Sequence, residues 1–331
     1  MLFSKTIIQV GILLVYIGAG FILAKTKIIK REASKVLAAL LTYFIHPIYT
    51  ANKLATSVSI EKLTTYGNLL LYGTLMTIVL IAVAFPLGKV FAKNKTERGL
   101  YRYLFAFSNY GYFGCPLVDA VFGSEVLANF MIFTLPVSIA IHSYGYYILT
   151  RDAMSQKGEE ETLDKKARAK LMAKRVLTAL YTPPMIGTYL GLTLAFIPVE
   201  IPQLFFDFLA PAVNCYNAIP MMIAGIVLAG CPFKKLFTSF KAYIVGIVRL
   251  VIMPIVFGGI TYLLYAYAGL PKAVAVAIIV LASLPCGMNV VVYPETVGLD
   301  SIEGARACFL SYLMGIITIP LVFTVMQALI V

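Results

Sequence analysis

The sequence predicts an all-α polytopic membrane protein, its ten transmembrane helices arranged as two inverted five-helix repeats. Three features of the chain carry that reading. The composition is too apolar for a soluble domain: 60% of the 331 residues are hydrophobic, 13% are charged, and the mean hydropathy is +0.89, where soluble domains carry about 25% charged residues. The apolar residues come in long continuous runs, each near the roughly 20 residues a helix needs to cross a bilayer, and not in the alternating strands of a barrel. The basic residues fill every second loop, and a single long polar linker lies near the middle.

The runs are 5–24, 34–55, 66–91, 99–123, 126–149, 176–197, 203–229, 241–268, 273–295 and 305–329. The first extends to Ala24, too long for a leader peptide. A basic cluster (Lys25, Lys27, Lys30, Arg31) closes it with no cleavage pattern, so it reads as a first crossing. Basic residues then recur from Lys89 to Arg102, from Arg151 to Arg175, and at Lys234, Lys235 and Lys241, whereas the opposite side holds Lys5, Lys53, Lys62 and Lys272. This asymmetry places the basic loops in the cytoplasm and both termini outside, in a plasma or inner membrane. The loop after the ninth run departs from the pattern, with Glu295, Asp300 and Glu303 beside Arg306, but acidic residues contribute little to orientation. The net charge of +12 is thus an orientation signal and points to no nucleic-acid partner. The five cysteines are scattered through apolar segments and read as free thiols, with no metal-type pairing.

Five runs, a linker at 150–175 and five more runs insert the second half upside down relative to the first. The chain divides as 1–149, 150–175 and 176–331, the arithmetic of an inverted repeat. Two proline matches support it. His46-Pro47 in the second run corresponds to Ile219-Pro220 in the seventh, and Cys115-Pro116 in the fourth to Leu284-Pro285 in the ninth, at almost the same separation. Within the linker, Glu161 and Lys165 have the spacing of an exposed helical pair.

The fourth and ninth runs are poor continuous helices. Asn109, Tyr110, Gly111, Gly114 and Pro116 interrupt one, and Pro285, Gly287 and Asn289 the other. Glycine costs about 1 kcal/mol and proline about 3 kcal/mol inside a helix. Broken backbone at membrane depth survives only beside protein or a water-filled cavity, and matched breaks in two halves are a pointer to a transporter site. Each break exposes the amides of one half-helix, which attract anions, and the carbonyls of another, which attract cations.

At these residues the chain resembles a known family. Asn109-x-Gly111-x-x-Gly114-x-Pro116-Leu117 with Phe122-Gly123, then Pro285-x-Gly287-x-Asn289 with Tyr293, Arg306 and Thr318-x-Pro320, resembles the auxin efflux carrier family in its short microbial form. Pro183-Pro184 with Gly187 and Gly191, and Arg249 with Pro254, are similar to its sixth and eighth helices. The resemblance implies that helices 4 and 9 cross at their breaks. It implies a scaffold and homodimer face from helices 1, 2, 6 and 7, and a mobile transport domain from helices 3–5 and 8–10. It also implies carriage of small organic anions, auxin-like or dicarboxylates such as malate, by elevator-type alternating access, with Asn109 near a substrate carboxylate. The large hydrophilic loop of long plant members is missing, and an uncharged residue is expected where Asp119 stands.

Ionisable residues inside the runs are further candidates. Arg249 lies about eight residues into the eighth run, roughly 12 Å deep, and suits either an anion counter-charge and anchor or a side chain snorkelling to the headgroups. Asp119 and His142 are candidates for coupling to H⁺ or Na⁺, the alternatives being a solvated Asp119 at the outer mouth and a hydrogen-bonded packing histidine, the reading that His46 beside Pro47 shares. The alternatives are a sodium-coupled bile-acid-type symporter of the same architecture and a membrane receptor or sensor. An enzyme is not expected, because two histidines and no H-E-x-x-H pattern leave no catalytic constellation; no cofactor or metal is expected either.

Overall fold

A chain this apolar must satisfy its own backbone in lipid, and a helix does so within one segment. The computed structural model describes residues 2–150, 165–197, 201–296, 299 and 301–330, and it is built of helices and short connections. In order these are α1 (Leu2–Lys25), α2 (33–57), α3 (Ile60–Phe91), α4 (Lys95–Ala106), α5 (110–122), α6 (Ser124–Phe133), α7 (Leu135–Thr150), α8 (Lys165–Ala179) and α9 (Pro183–Phe196). Then follow α10 (Gln203–Leu228), a single turn at Phe233–Leu236, α11 (Phe240–Ala268), α12 (Lys272–Ser283), α13 (Asn289–Thr296) and α14 (Ile302–Leu329).

Helices α1, α3, α10, α11 and α14 are each long and apolar enough to cross a membrane, and α6 with α7, bent by 48°, forms a sixth candidate. The bend falls at Thr134, just before Leu135-Pro136 opens α7. The expected runs at 34–55, 99–123, 176–197 and 273–295 fall on shorter or interrupted helices: α2, α4 with α5, α9, and α12 with α13. Most of the expected linker, Glu161 included, and the acidic Glu200 and Asp300 lie outside the described residues.

The prolines shape the helices locally. A proline removes one helical N–H and its ring crowds the carbonyl four residues back. Three times the chain meets this with a five-residue π turn just upstream: Leu41–Ile45 before Pro47, Tyr110–Gly114 before Pro116, and Val248–Ile252 before Pro254. The wider turn takes up the misfit without breaking the helix. The outer faces of α1, α3 and α11 expose large apolar residues such as Ile8, Val15, Val79, Ile255 and Tyr267. The centre is filled by α12, buried from Val274 to Ser283, and by Phe105, Phe107, Phe113 and Tyr312.

Candidate functional site

The two interruptions meet. Helix α4 stops at Ala106, and Phe107 turns to extended backbone. Helix α12 stops at Ser283, and Leu284 is extended (φ −77, ψ 149), the conformation that best clears the ring of the following proline. The two extended pieces pair antiparallel at Ser108 and Cys286. The Asn109 amide donates to the Pro285 carbonyl at 2.8 Å, and the Gly287 amide to the Phe107 carbonyl at 3.0 Å. The Cys286 amide donates to Ser311 Oγ on α14 at 3.1 Å. Backbone freed by each break is thus satisfied largely by the other, which is what lets broken chain persist at this depth. The approach is close: a Cβ on Gly114 would lie 2.4 Å from a Leu284 methyl.

The carbonyl ends of α4 and α12 converge on one cation. Arg249 is fully buried; its Nη1 donates to the Phe105 carbonyl at 3.0 Å and its Nε to the Leu284 carbonyl at 3.3 Å. Snorkelling is therefore not its role here. A guanidinium at two helix C-termini complements both dipoles, and its planar fork reaches both acceptors at once.

The amide ends face empty space. A cavity of about 30 Å³ is lined by Asn109, Tyr110, Gly111, His142, Gly287 and Asn289, with His46 and Tyr103 opposite. A second, of about 40 Å³, lies against Tyr49, Cys115, Thr134 and Tyr216 and shares His46, Tyr110 and Gly111 with the first. Each has room for two or three waters. The first amides of α5, starting at Tyr110, have no acceptor within the helix ladder, so the cavities see a positive dipole end. The Asn109 side chain is held by its amide donating to Tyr312 Oη at 2.8 Å, and Tyr312 stacks on Phe113. Near the basic loops, a larger space of about 470 Å³ reaches in beside Lys35, Thr42, Tyr146 and Tyr293.

The expected site residues therefore separate. Asn109, Tyr110, Gly111, Gly287, Asn289 and His142 line the cavities; Gly114, Pro116 and Pro285 shape the crossing; Arg249 caps it. Asp119 sits farther along α5, where Lys53 donates to its carboxylate at 2.6 Å. The sequence reading did not single out Tyr49, Tyr103, Tyr216 or Tyr312 among the 21 tyrosines, for want of any spacing that marks them. His46 carried a signal, its place beside Pro47, but read as packing. Among the described residues no group of three or more His, Cys, Asp or Glu side chains is placed to hold a metal ion.

Compared with models of protein families, residues 5–323 match the family described as membrane transport protein. No curated protein matches the chain.

Proposed function

We propose, on the premise that the chain belongs to this membrane transport protein family, the auxin efflux carrier kind, that it is a secondary transporter of small organic anions. Membership makes it an integral membrane transporter; cargo and cycle are our reading. The observation that carries the reading is the asymmetry of the crossing. The carbonyl ends of the half-helices are occupied by Arg249, while the amide ends, with Asn109, border the cavities. Such a site favours an anion and offers a cation little.

In this reading the chain crosses the bilayer ten times, as two inverted repeats with both termini outside. The cargo, a carboxylate of the auxin-like or dicarboxylate class, sits between two units. One is α1, α2, α9 and α10, and the other α3 to α7 with α11 to α14. The cavities lie along that boundary: His46, Tyr49, Pro184 and Tyr216 stand on one side, and Tyr110, Gly111, Thr134 and Ser138 on the other. Sliding of the second unit past the first gives elevator-type alternating access.

The test is flux into proteoliposomes of radiolabelled malate and indole-3-acetate, with wild type and Asn109→Ala. Saturable flux that falls at least about tenfold in the variant, a loss of roughly 1.4 kcal/mol, is expected. Flux that is absent, or unchanged in Asn109→Ala, refutes the reading. Dependence on a Na⁺ gradient would favour the sodium-symport alternative.

A further inference from the structure

The proposed cargo is an anion, yet neither cavity offers it a fixed positive charge. No lysine, arginine, aspartate or glutamate is among the described residues that line them. Arg249 and Lys53 lie outside both linings and are bonded elsewhere: Arg249 to the Phe105 and Leu284 carbonyls, with only its buried Nη2 left unpartnered, and Lys53 to Asp119. The lining side chains able to become cationic are His46 and His142, the two histidines of the chain.

Of these, His46 lines both cavities. Its Nε2 lies 3.2 Å from Tyr216 Oη, and its Nδ1 is buried with no hydrogen-bond partner. Tyr216 is itself fixed by stacking on Tyr49, 3.8 Å between centroids. The imidazole is thus held by one nitrogen and leaves the other uncommitted. His142 is also held by one nitrogen, Nδ1 donating to the Ser138 carbonyl at 2.8 Å within its own helix, but it lines only the smaller cavity.

We propose that His46 is the proton-binding residue of the cargo site, so that each carboxylate is bound together with one proton. The neutral imidazole takes a proton from the adjoining aqueous phase on a ring nitrogen. The carboxylate accepts a hydrogen bond from the imidazolium. Proton and anion are both given up on the other side, and no bond in the cargo is made or broken. An unpaired charge of either sign in this site lacks compensation, and pairing offsets that penalty. Proton and anion therefore strengthen each other's binding by the same factor.

The groups around His46 leave it without a competing fixed charge. Tyr49 faces it from its own helix, Tyr103 from α4, Tyr110, Tyr112 and Cys115 from α5, His142 from α7 and Tyr216 from α10. Helices α9 and α13 contribute Thr188, Pro184 and Asn289, which do not titrate. Phenols and thiols are neutral at physiological pH. The second imidazole shares the smaller cavity, and two like charges there would repel, which sets one proton per anion.

This inference rests on the anion-transport reading, and the experiment separates the two. Binding of malate and indole-3-acetate to the purified full-length protein is measured at about pH 5.5 and about pH 7.5. Wild-type affinity is expected to weaken by about tenfold per pH unit. His46→Gln, or His46→Asn should the first fail to fold, loses that dependence, and His142→Gln keeps it. With labelled histidine, probe addition shifts the His46 imidazole signal to the imidazolium position. Equal affinity at both pH values, or a pH dependence that survives in the His46 variants, overturns the assignment and leaves anion transport standing. If neither probe binds wild type at either pH, the anion reading falls and this assignment with it.

Discussion

Replacing Arg249 with methionine removes the one guanidinium at the crossing while keeping much of its volume. The side chain is 0% exposed and holds the Phe105 and Leu284 carbonyls at 3.0 and 3.3 Å. Phe105 lies in the last turn of α4 and Leu284 just past the end of α12, where carbonyls have no partner in their own helices. Hydrogen bonds from a charged donor contribute about 1.5–3 kcal/mol each, so two amount to about 3–6 kcal/mol. Burying a guanidinium in such a place costs several kcal/mol, and the substitution gives part of that back. The net loss is about 2–3 kcal/mol. At the low end of the size scaling, about 2 °C per kcal/mol, the unfolding midpoint drops by about 4–6 °C. Far-UV circular dichroism in detergent reads it, since the chain has no tryptophan. Arg249→Lys keeps the charge, but one ammonium cannot fork across two carbonyls on different helices, so about half the loss is expected. A methionine variant within about 1 °C of wild type, or a lysine variant equal to it, refutes the claim that Arg249 ties the half-helices together.

Gly114→Val places branched methyls where a Cβ alone would lie 2.4 Å from Leu284 Cδ1; the crossing is then strained by about 1–3 kcal/mol, and an unaltered unfolding midpoint would count against so close an approach. The Lys53–Asp119 pair is partly exposed, at 21% and 27%, and so contributes about 0.2–1 kcal/mol to stability. It nevertheless ties α2 to α5 beside the larger of the two small cavities, so Asp119→Asn in a background lacking the exposed Cys215 should label several-fold faster at buried Cys115; an unchanged rate removes the pair as a tie between α2 and α5. Outside the membrane, the Lys93 amide, and then the Lys241 ammonium at 3.1 Å, hold the Glu97 carboxyl below the usual carboxylate range. A depressed folded value contributes stability that is present above the unfolded value of about 4.3 and is lost as pH falls through the folded one. Wild type therefore loses more stability on acidification below about pH 4.3 than Glu97→Gln does, and superimposable acid limbs in thermal unfolding would dismiss the pairing.

What the sequence made legible here is what backbone chemistry prohibits. Pro285 located the break in the ninth run because the residue before a proline favours extended backbone, and Leu284 adopts it; Cys115 before Pro116 stays helical (φ −60, ψ −49), and that break falls upstream, where Phe107 turns extended. The mutual pairing of the breaks was not written in either segment. It depends on Ser108 meeting Cys286, a long-range contact that no local pattern encodes. The π turns before Pro47 and Pro116 were equally hidden: Pro220, matched to Pro47 in the sequence expectation, sits inside α10 with no such turn, so a matched proline does not dictate a matched distortion. Arg249 was visible as a misfit, but its role turned on depth and on acceptors supplied by helices far along the chain.

Permanent charges stand out in an apolar chain, as Asp119 and Arg249 do in this one. A permanent charge can enter a bilayer only with its compensation arranged, because it is costly there. Both have it, Asp119 in Lys53 and Arg249 in the helix-end carbonyls. Asp119 is thereby committed, and Arg249 is committed at Nε and Nη1 with its Nη2 alone unpartnered and outside both cavity linings. An imidazole differs, because it can cross and pack while neutral and acquire charge only when a partner arrives. His46, uncommitted at Nδ1 and bordering both cavities, is such a group, and on the proposal above it is the one that receives the anion.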